Sequence, residues 1–409
     1  MRDCAAPSSG SLRRKRRVTY APGRWTVTAH EGGNGGTGSR GRVLITGGAG
    51  FVGSHLADEL LAHGYQVRVL DALAAQVHGD DAQWPTYLSN DVERMQGDVR
   101  DADAVRAALE GVDRVFHLAA AVGVGQSMYE IEHYTDVNNR GTAVLLEALS
   151  RSPVKKLVVA SSMSVYGEGL YADASGRAFA PPERDPDALR RGDWELRAHG
   201  EPLTPVPTHE DKPPMPTSVY ALSKLDQERL CLIVGQAYGI PATALRFFNI
   251  YGTRQALSNP YTGVLAIFAS RYMNGKPPRI FEDGHQRRDF VHVSDIARAC
   301  RLALESDAAT GRAINVGSGV SVSIAEVAHA MAKALEVDDL PPEITGQFRV
   351  GDIRHCFADI TMARELLGYA PRVTLEHGLA ELVEWMQDQQ AVDRVDMAAA
   401  ELASRGLQR

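Results

Sequence analysis

Apolar and polar positions first fall into a clear pattern at Arg42. From there to Leu73 the chain reads RVLITGGAGFVGSHLADELLAHGYQVRVLDAL: an apolar run, a glycine-rich turn, a stretch with helical spacing, and a second apolar run. A continuous apolar run bounded by glycine predicts a strand buried on both faces, and the 3.6-residue period between two such runs predicts the helix joining them, hence a βαβ unit. DRVFHLAAA (113–121) and KKLVVASSMSVYG (155–167) predict further strands, with a helix over GTAVLLEALS (141–150) between them. Such alternation implies an α/β fold, a Rossmann doubly wound parallel sheet.

The pattern breaks over 168–216, which is rich in Pro, Arg, Asp and Glu and offers only a turn around DPDALRRGDWEL; it reads as an insert. Periodicity resumes in SVYALSKLDQERLCLIVGQAYG and IPATALRFFNIYG, so the first domain is expected over 42–252. Beyond Thr253, short apolar runs and helices such as SIAEVAHAMAKAL predict a smaller C-terminal substrate-binding lobe over 253–289 and 317–390, with 290–316 returning to the sheet. Residues 1–41 lack apolar periodicity and are expected to be a disordered basic tail; 391–409 are expected to be a C-terminal tail.

Composition narrows the class. Hydrophobic residues make up 44% and charged residues 23%, as in a water-soluble globular protein, and no apolar run reaches the roughly 18 residues of a membrane span. The net charge of −7 gives no reason to expect nucleic acid, although LRRKRR (12–17) is a local basic run. That segment has no apolar core of a secretory signal. Cys4, Cys231, Cys300 and Cys356 show neither metal-ligand spacing nor a disulfide framework. The expectation is a cytoplasmic protein with no nucleic acid, membrane or metal partner.

Candidate chemistry begins at GGAGFVG. Gly47, Gly50 and Gly53 follow the first strand and open a helix whose first residues are Phe51 and Val52, the context in which a backbone can approach a pyrophosphate at a helix N-terminus. Asp71 ends the second strand 24 residues after Gly47, where a carboxylate can accept from ribose hydroxyls and repel a 2′-phosphate. NAD is therefore expected rather than NADP. Asp98 and Val99 in GDVRD stand where they could meet the adenine edge; Asp98 could equally be a helix N-cap. Leu118, Ala119 and Ala120 offer room for a ring at a strand end.

In VYALSK, Tyr220 and Lys224 lie four residues apart, on one face of a helix. An ammonium about 5 Å from a phenol, at an effective dielectric of about 20, favours the phenolate by ~3 kcal/mol, or about two pKa units. A tyrosine base becomes feasible. Ser162, at the strand end of ASSMSVYG, could hydrogen-bond the same substrate oxygen or simply cap a turn.

With GGAGFVG, HLAA, SSMSVYG, YALSK, RFFNIYG, RRDFVHVSD, INVGSG and RVGDIRH on one chain, residues 42–385 resemble the extended short-chain dehydrogenase/reductases of the nucleotide-sugar epimerase/dehydratase family. The resemblance implies Tyr220 as acid/base, Lys224 lowering its pKa and holding the nicotinamide ribose, and Ser162 on the reacting hydroxyl. It implies Asn138 ordering the cofactor region, and Ser127, Asn249, Arg288, Arg349 and Asp352 binding the nucleotide sugar, a dTDP- or UDP-sugar. Dehydrating relatives carry Asp-Glu after the catalytic Ser/Thr, and decarboxylating relatives a glutamate two residues after it. Met163 and Ser164 stand there, which leaves 4-epimerisation through a 4-keto sugar, with hydride returned to the opposite face.

AAVGVGQSMYE, FEDGHQRRDF and the insert resemble bacterial dTDP-L-rhamnose 4-epimerases most closely. UDP-glucose and UDP-N-acetylglucosamine 4-epimerases share every catalytic feature, and a nucleotide-sugar 4-ketoreductase is the alternative chemistry. The insert either walls the sugar pocket or elaborates the surface. The family habit of pairing through the Tyr/Lys helix implies a homodimer, with Leu222, Leu230 and Ile233 available for it.

Overall fold

The protein's computed structural model describes residues 40–261, 263–389 and 393–408. The expected basic tail, with LRRKRR and Cys4, lies outside them apart from Arg40 and Gly41. Strands β1 (Arg42–Thr46), β2 (Gln66–Asp71), β3 (Glu93–Gln96), β4 (Arg114–His117), β5 (Lys156–Ser162), β6 (Ala242–Phe247) and β7 (Ala313–Val316) form one sheet in the order β7-β6-β5-β4-β1-β2-β3. Every neighbouring pair is parallel.

Both faces are covered. Helices α1 (Phe51–Ala62) and α4 (Val293–Glu305) bury Leu56, Leu60, Ile296 and Cys300 against one face, where Val43 and Ile45 point. Helices α2 (Gly141–Arg151) and α3 (Val219–Tyr238) bury Leu145, Leu149 and Cys231 against the other, where Leu44 points. Alternate side chains of one strand thus enter two cores, which is why its sequence reads as unbroken apolar. The strand order reverses at β1, flanked by β4 and β2, so a crevice opens at the carboxyl ends of these strands.

A smaller sheet pairs Asn249–Tyr251 and Ser321–Ser323 on either side of Arg287–His292, which also takes His355–Cys356. Its helices share a core that includes Phe268, Tyr272, Val327, Met331, Leu379 and Leu382. The insert is ordered around Tyr171, Leu196 and Leu203, with a three-stranded sheet and a short helix, Pro186–Arg190, capped by Asp185. Arg184 reaches Glu282 at 2.7 Å, and fully buried Arg354 gathers Glu195 from the insert with Glu282 and Asp283. A buried guanidinium is tolerated only when its donors are met, so this cluster fastens the insert to the lobe.

The last residues correct the expectation of a tail. Val395–Ser404 is helical, with Ala398 and Leu402 buried, and Arg271 reaches Asp393 and Asp396 across from a neighbouring helix. Two apolar side chains were too few to give a period in the sequence. Among the described residues no helix is long and apolar enough to cross a membrane, and Cys231, Cys300 and Cys356 are free and buried.

Candidate active site

The glycine turn after β1 is shaped for close approach. Gly47 sits at φ +71°, and a Cβ there would lie 2.8 Å from the Ala119 nitrogen; one on Gly53 would lie 2.4 Å from the Gly47 carbonyl oxygen. So α1 packs directly on the turn, while Gly50 keeps an open side, its nearest would-be contact being 3.4 Å away. No side chain caps α1 at Gly50 and its first turn, beginning with Phe51 and Val52, carries no acid, so its free N–H groups remain available to an anion. Asp71 is fixed beside it, accepting from the amides of Ala49 at 3.0 Å and Leu73 at 2.9 Å. These features fit a dinucleotide.

Two residues that no motif marked join them. The Tyr87 hydroxyl donates to the Ala49 carbonyl at 3.1 Å, and the His78 ring comes within 3.8 Å of Asp71. Both follow β2, His78 ending the short helix Ala75–His78 and Tyr87 in the turn beyond it, and only folding brings them back to the glycine turn.

Asp98 is not the N-cap. Asp101 caps the following helix through the amides of Asp103 and Ala104, while the Asp98 carboxylate is held by the Arg100 guanidinium and backbone amide. Val99 is buried against Gly141, where an added Cβ would meet it at 2.7 Å. Leu118 and Ala119 bond back to Thr46, and Asn138 clasps both backbone groups of Ala121 while donating to Ser223 on α3. Asn138 lies in a π-turn, Thr135–Arg140, a form that accumulates at functional sites.

Helix α3 presents Tyr220 and Lys224 one turn apart. Ser218 caps it through the Ala221 amide, and the Tyr220 amide donates to the Ser127 hydroxyl at 3.0 Å. The Tyr220 ring is half-buried and edge-on to Tyr134 with centroids 6.4 Å apart, and Ser162 is the side chain that favours its phenolate. Ser162, at the end of β5, accepts from the Ser164 amide at 3.1 Å and the Ser164 hydroxyl at 2.8 Å. Its own hydrogen is thereby left free to donate, and the capping expectation for Ser162 holds.

The electrostatic balance differs from the sequence expectation. Burial pushes the Tyr220 phenol up to about 12, and the Ser162 hydrogen bond is the group drawing it back. Burial lowers Lys224 to about 8. Lys224 is 3% exposed, and its ammonium donates to the Gln227 amide oxygen at 2.8 Å. Desolvation opposes both charges and is the largest cause of each shift, which spacing alone did not reveal. Gln227, three residues beyond Lys224 on the same face, was visible in principle from helix geometry.

The expected substrate residues divide. Asn249 has a buried amide oxygen without a protein partner, and Arg349 pairs with Asp352 at 2.9 Å while lying over the Phe281 ring. The Arg288 guanidinium turns to the carbonyls of Arg287, Ile353 and Arg354. Ser127 corrects the expectation of a substrate contact: it is fully buried, and its hydroxyl donates to the Val124 carbonyl and accepts the Tyr220 amide. Among the described residues no His, Cys, Asp and Glu cluster could hold a metal.

The profile of the NAD dependent epimerase/dehydratase family matches residues 43–317. The chain belongs to that family. It is 34% identical over 358 residues to dTDP-L-rhamnose 4-epimerase of Burkholderia thailandensis, covering 86% of this chain and 96% of that protein. It is also 34% identical over 355 residues to UDP-glucose 4-epimerase of Mycolicibacterium smegmatis, covering 85% and 99%. Among solved structures, the Thermus thermophilus UDP-glucose 4-epimerase complex with NAD superposes with a TM-score of 0.67 at 31% identity, covering 85% of this chain and all of that one. The family's cofactor is NAD, and the glycine turn, Asp71 and the carboxyl edge of the sheet are the parts of this epimerase-family fold able to hold it. A phenol, a hydroxyl and a buried ammonium at that edge can move a proton to or from an alcohol carbon's oxygen.

Proposed function

We propose that the protein is an NAD-dependent 4-epimerase of a nucleotide-diphosphate sugar, with dTDP-L-rhamnose as the preferred substrate. The carrying observation is that Ser162, the side chain favouring the Tyr220 phenolate, has Ser164 donating to it and Met163 buried in the core beside it. Beyond Tyr220 and Ser162, these neighbours offer neither the acid/base pair that elimination requires nor the glutamate of a decarboxylase.

In this reading Tyr220, as the phenolate, takes the proton of the sugar's 4-hydroxyl, Ser162 holds that oxygen in line, and the positive charge of Lys224 favours the phenolate from which Tyr220 acts. NAD, held by the glycine turn and Asp71, would supply a reversible acceptor for the hydride of carbon 4. Tyr220 then gives the proton back to the 4-keto oxygen after the sugar has turned over, so no net redox change accompanies the cycle. Asn249, Arg349 and Asp352 hold the nucleotide end, with Arg288 beside them. The exposed Leu222 and Ile233 on α3 support a homodimer through that helix.

UDP-glucose is the second substrate reading, since the Mycolicibacterium relative is as similar as the Burkholderia one. Incubating purified protein with dTDP- and UDP-sugars and reading inversion at carbon 4 by NMR tests both. The proposal predicts a C4 epimer without stoichiometric NADH release. Release of one NADH per sugar, or a dehydrated product, overturns it.

A further inference from the structure

Lys224 has no carboxylate partner among the described residues; its ammonium donates to the Gln227 amide. An ammonium only donates, so the Gln227 oxygen must face Lys224 and its nitrogen must face inward. There the nitrogen donates to the Thr142 hydroxyl at 2.8 Å and stands 3.3 Å from His117 Nε2. The Thr142 hydroxyl donates to the Asn138 carbonyl at 2.6 Å and lies 2.8 Å from His117 Nε2. The other ring nitrogen of His117 is 2.8 Å from the Thr46 hydroxyl, which in turn accepts the Ala119 amide beside Gly47. Gln227, Thr142, His117 and Thr46 are all 0% exposed.

We infer that Gln227 is a positioning residue for the proton-transfer step: as a neutral acceptor it fixes the Lys224 ammonium and ties it, through Thr142, His117 and Thr46, to the glycine turn. This deepens the acid/base role proposed for Tyr220 and rests on it. The choice of an amide matters. A carboxylate at 227 would hold the ammonium equally well but cancel its charge, while an apolar side chain would leave it loose and orphan Thr142. The amide does neither, so the whole positive charge stays available to Tyr220.

The groups facing Lys224 are few. Tyr220 and Cys231 share its helix, and His117 faces it from β4, held neutral by burial. Tyr134 packs on Tyr220, and Glu228 is consumed by Arg246 on β6. A change at 227 therefore reads out on Tyr220 with little competition.

The test uses NAD-loaded full-length protein and needs no substrate for its first measurement. The phenolate absorbance of Tyr220 is titrated as the difference between each protein and its Tyr220→Phe counterpart, for wild type, Gln227→Glu and Gln227→Met. Both substitutions are expected to move the titration upward by about one pH unit. With the epimerisable sugar, kcat at neutral pH should fall about tenfold and KM stay within about twofold. A purely structural role would lower the melting temperature and leave the titration in place. Coincident titrations in whichever variant folds overturn the inference. Turnover retained in Tyr220→Phe overturns the acid/base role as well; a dead Tyr220→Phe with unmoved Gln227 variants overturns this inference alone.

Discussion

The backbone amide of Tyr220 donates to the side-chain hydroxyl of Ser127 at 3.0 Å, so the helix bearing the proposed acid/base is anchored by the short helix Val124–Ser127 that follows β4. This bond satisfies a first-turn amide that no helical carbonyl can reach, as Ser218 does for Ala221. Ser127→Ala should cost about 1 kcal/mol of stability and lower kcat several-fold, with bound NAD unchanged. Thermal melting and cofactor content after gel filtration check it.

Tyr220→Phe keeps the ring against Tyr134 and removes only the hydroxyl. The expected loss in kcat is about 10²–10⁴-fold, the range for a positioned general acid/base, with NAD retained. Turnover within tenfold of wild type would remove Tyr220 from the role.

Ser162→Ala removes the hydrogen bond that draws the buried phenol down from a value burial has raised. The active form is the phenolate, so the rising limb of kcat against pH should shift to higher pH. A rate profile over the alkaline range is the measurement; an unmoved limb contradicts the assignment.

Asp71 holds two amides of the cofactor crevice, Ala49 and Leu73, and would accept from the ribose. Asp71→Ala should reduce NAD retention at least about tenfold, since it loses both the anchoring and the ribose acceptor. Fluorescence titration with NADH reads the change.

Glu195 joins the insert to the lobe through His355 and Arg354, and these partners hold its carboxyl down to about 2, against 4.5 for the free group. A lowered folded pKa means its stabilisation is complete above pH 4.5 and is lost as pH falls through 2. Glu195 is 38% exposed, so screening limits the contribution to about 1–2 kcal/mol. Glu195→Gln should melt lower at neutral pH, and the two melting curves should converge between pH 4.5 and 2.

Elements whose chemistry is local were legible before folding. Gly47, Gly50 and Gly53 are dictated by one turn and the helix it starts, and Tyr220 with Lys224 by one helical period. The insert was visible only as a break in periodicity, because its order depends on Arg184, Glu195 and Arg354 meeting Glu282 and Asp283 from elsewhere in the chain. The helix Val395–Ser404 was missed for the same reason: much of its anchoring comes from partners such as Arg271.

By itself the sequence determined the doubly wound sheet, the glycine turn at its carboxyl edge and a phenol and an ammonium one turn apart on one helix, since periodicity and turn chemistry act between near neighbours. Only the tertiary structure decided how those two groups are charged. Burial raises Tyr220 and lowers Lys224, and the side chains that answer this, Ser162 as donor and Gln227 as acceptor, work through partners from four other elements. Desolvation depends on what surrounds a group in three dimensions, and no spacing along the chain records it.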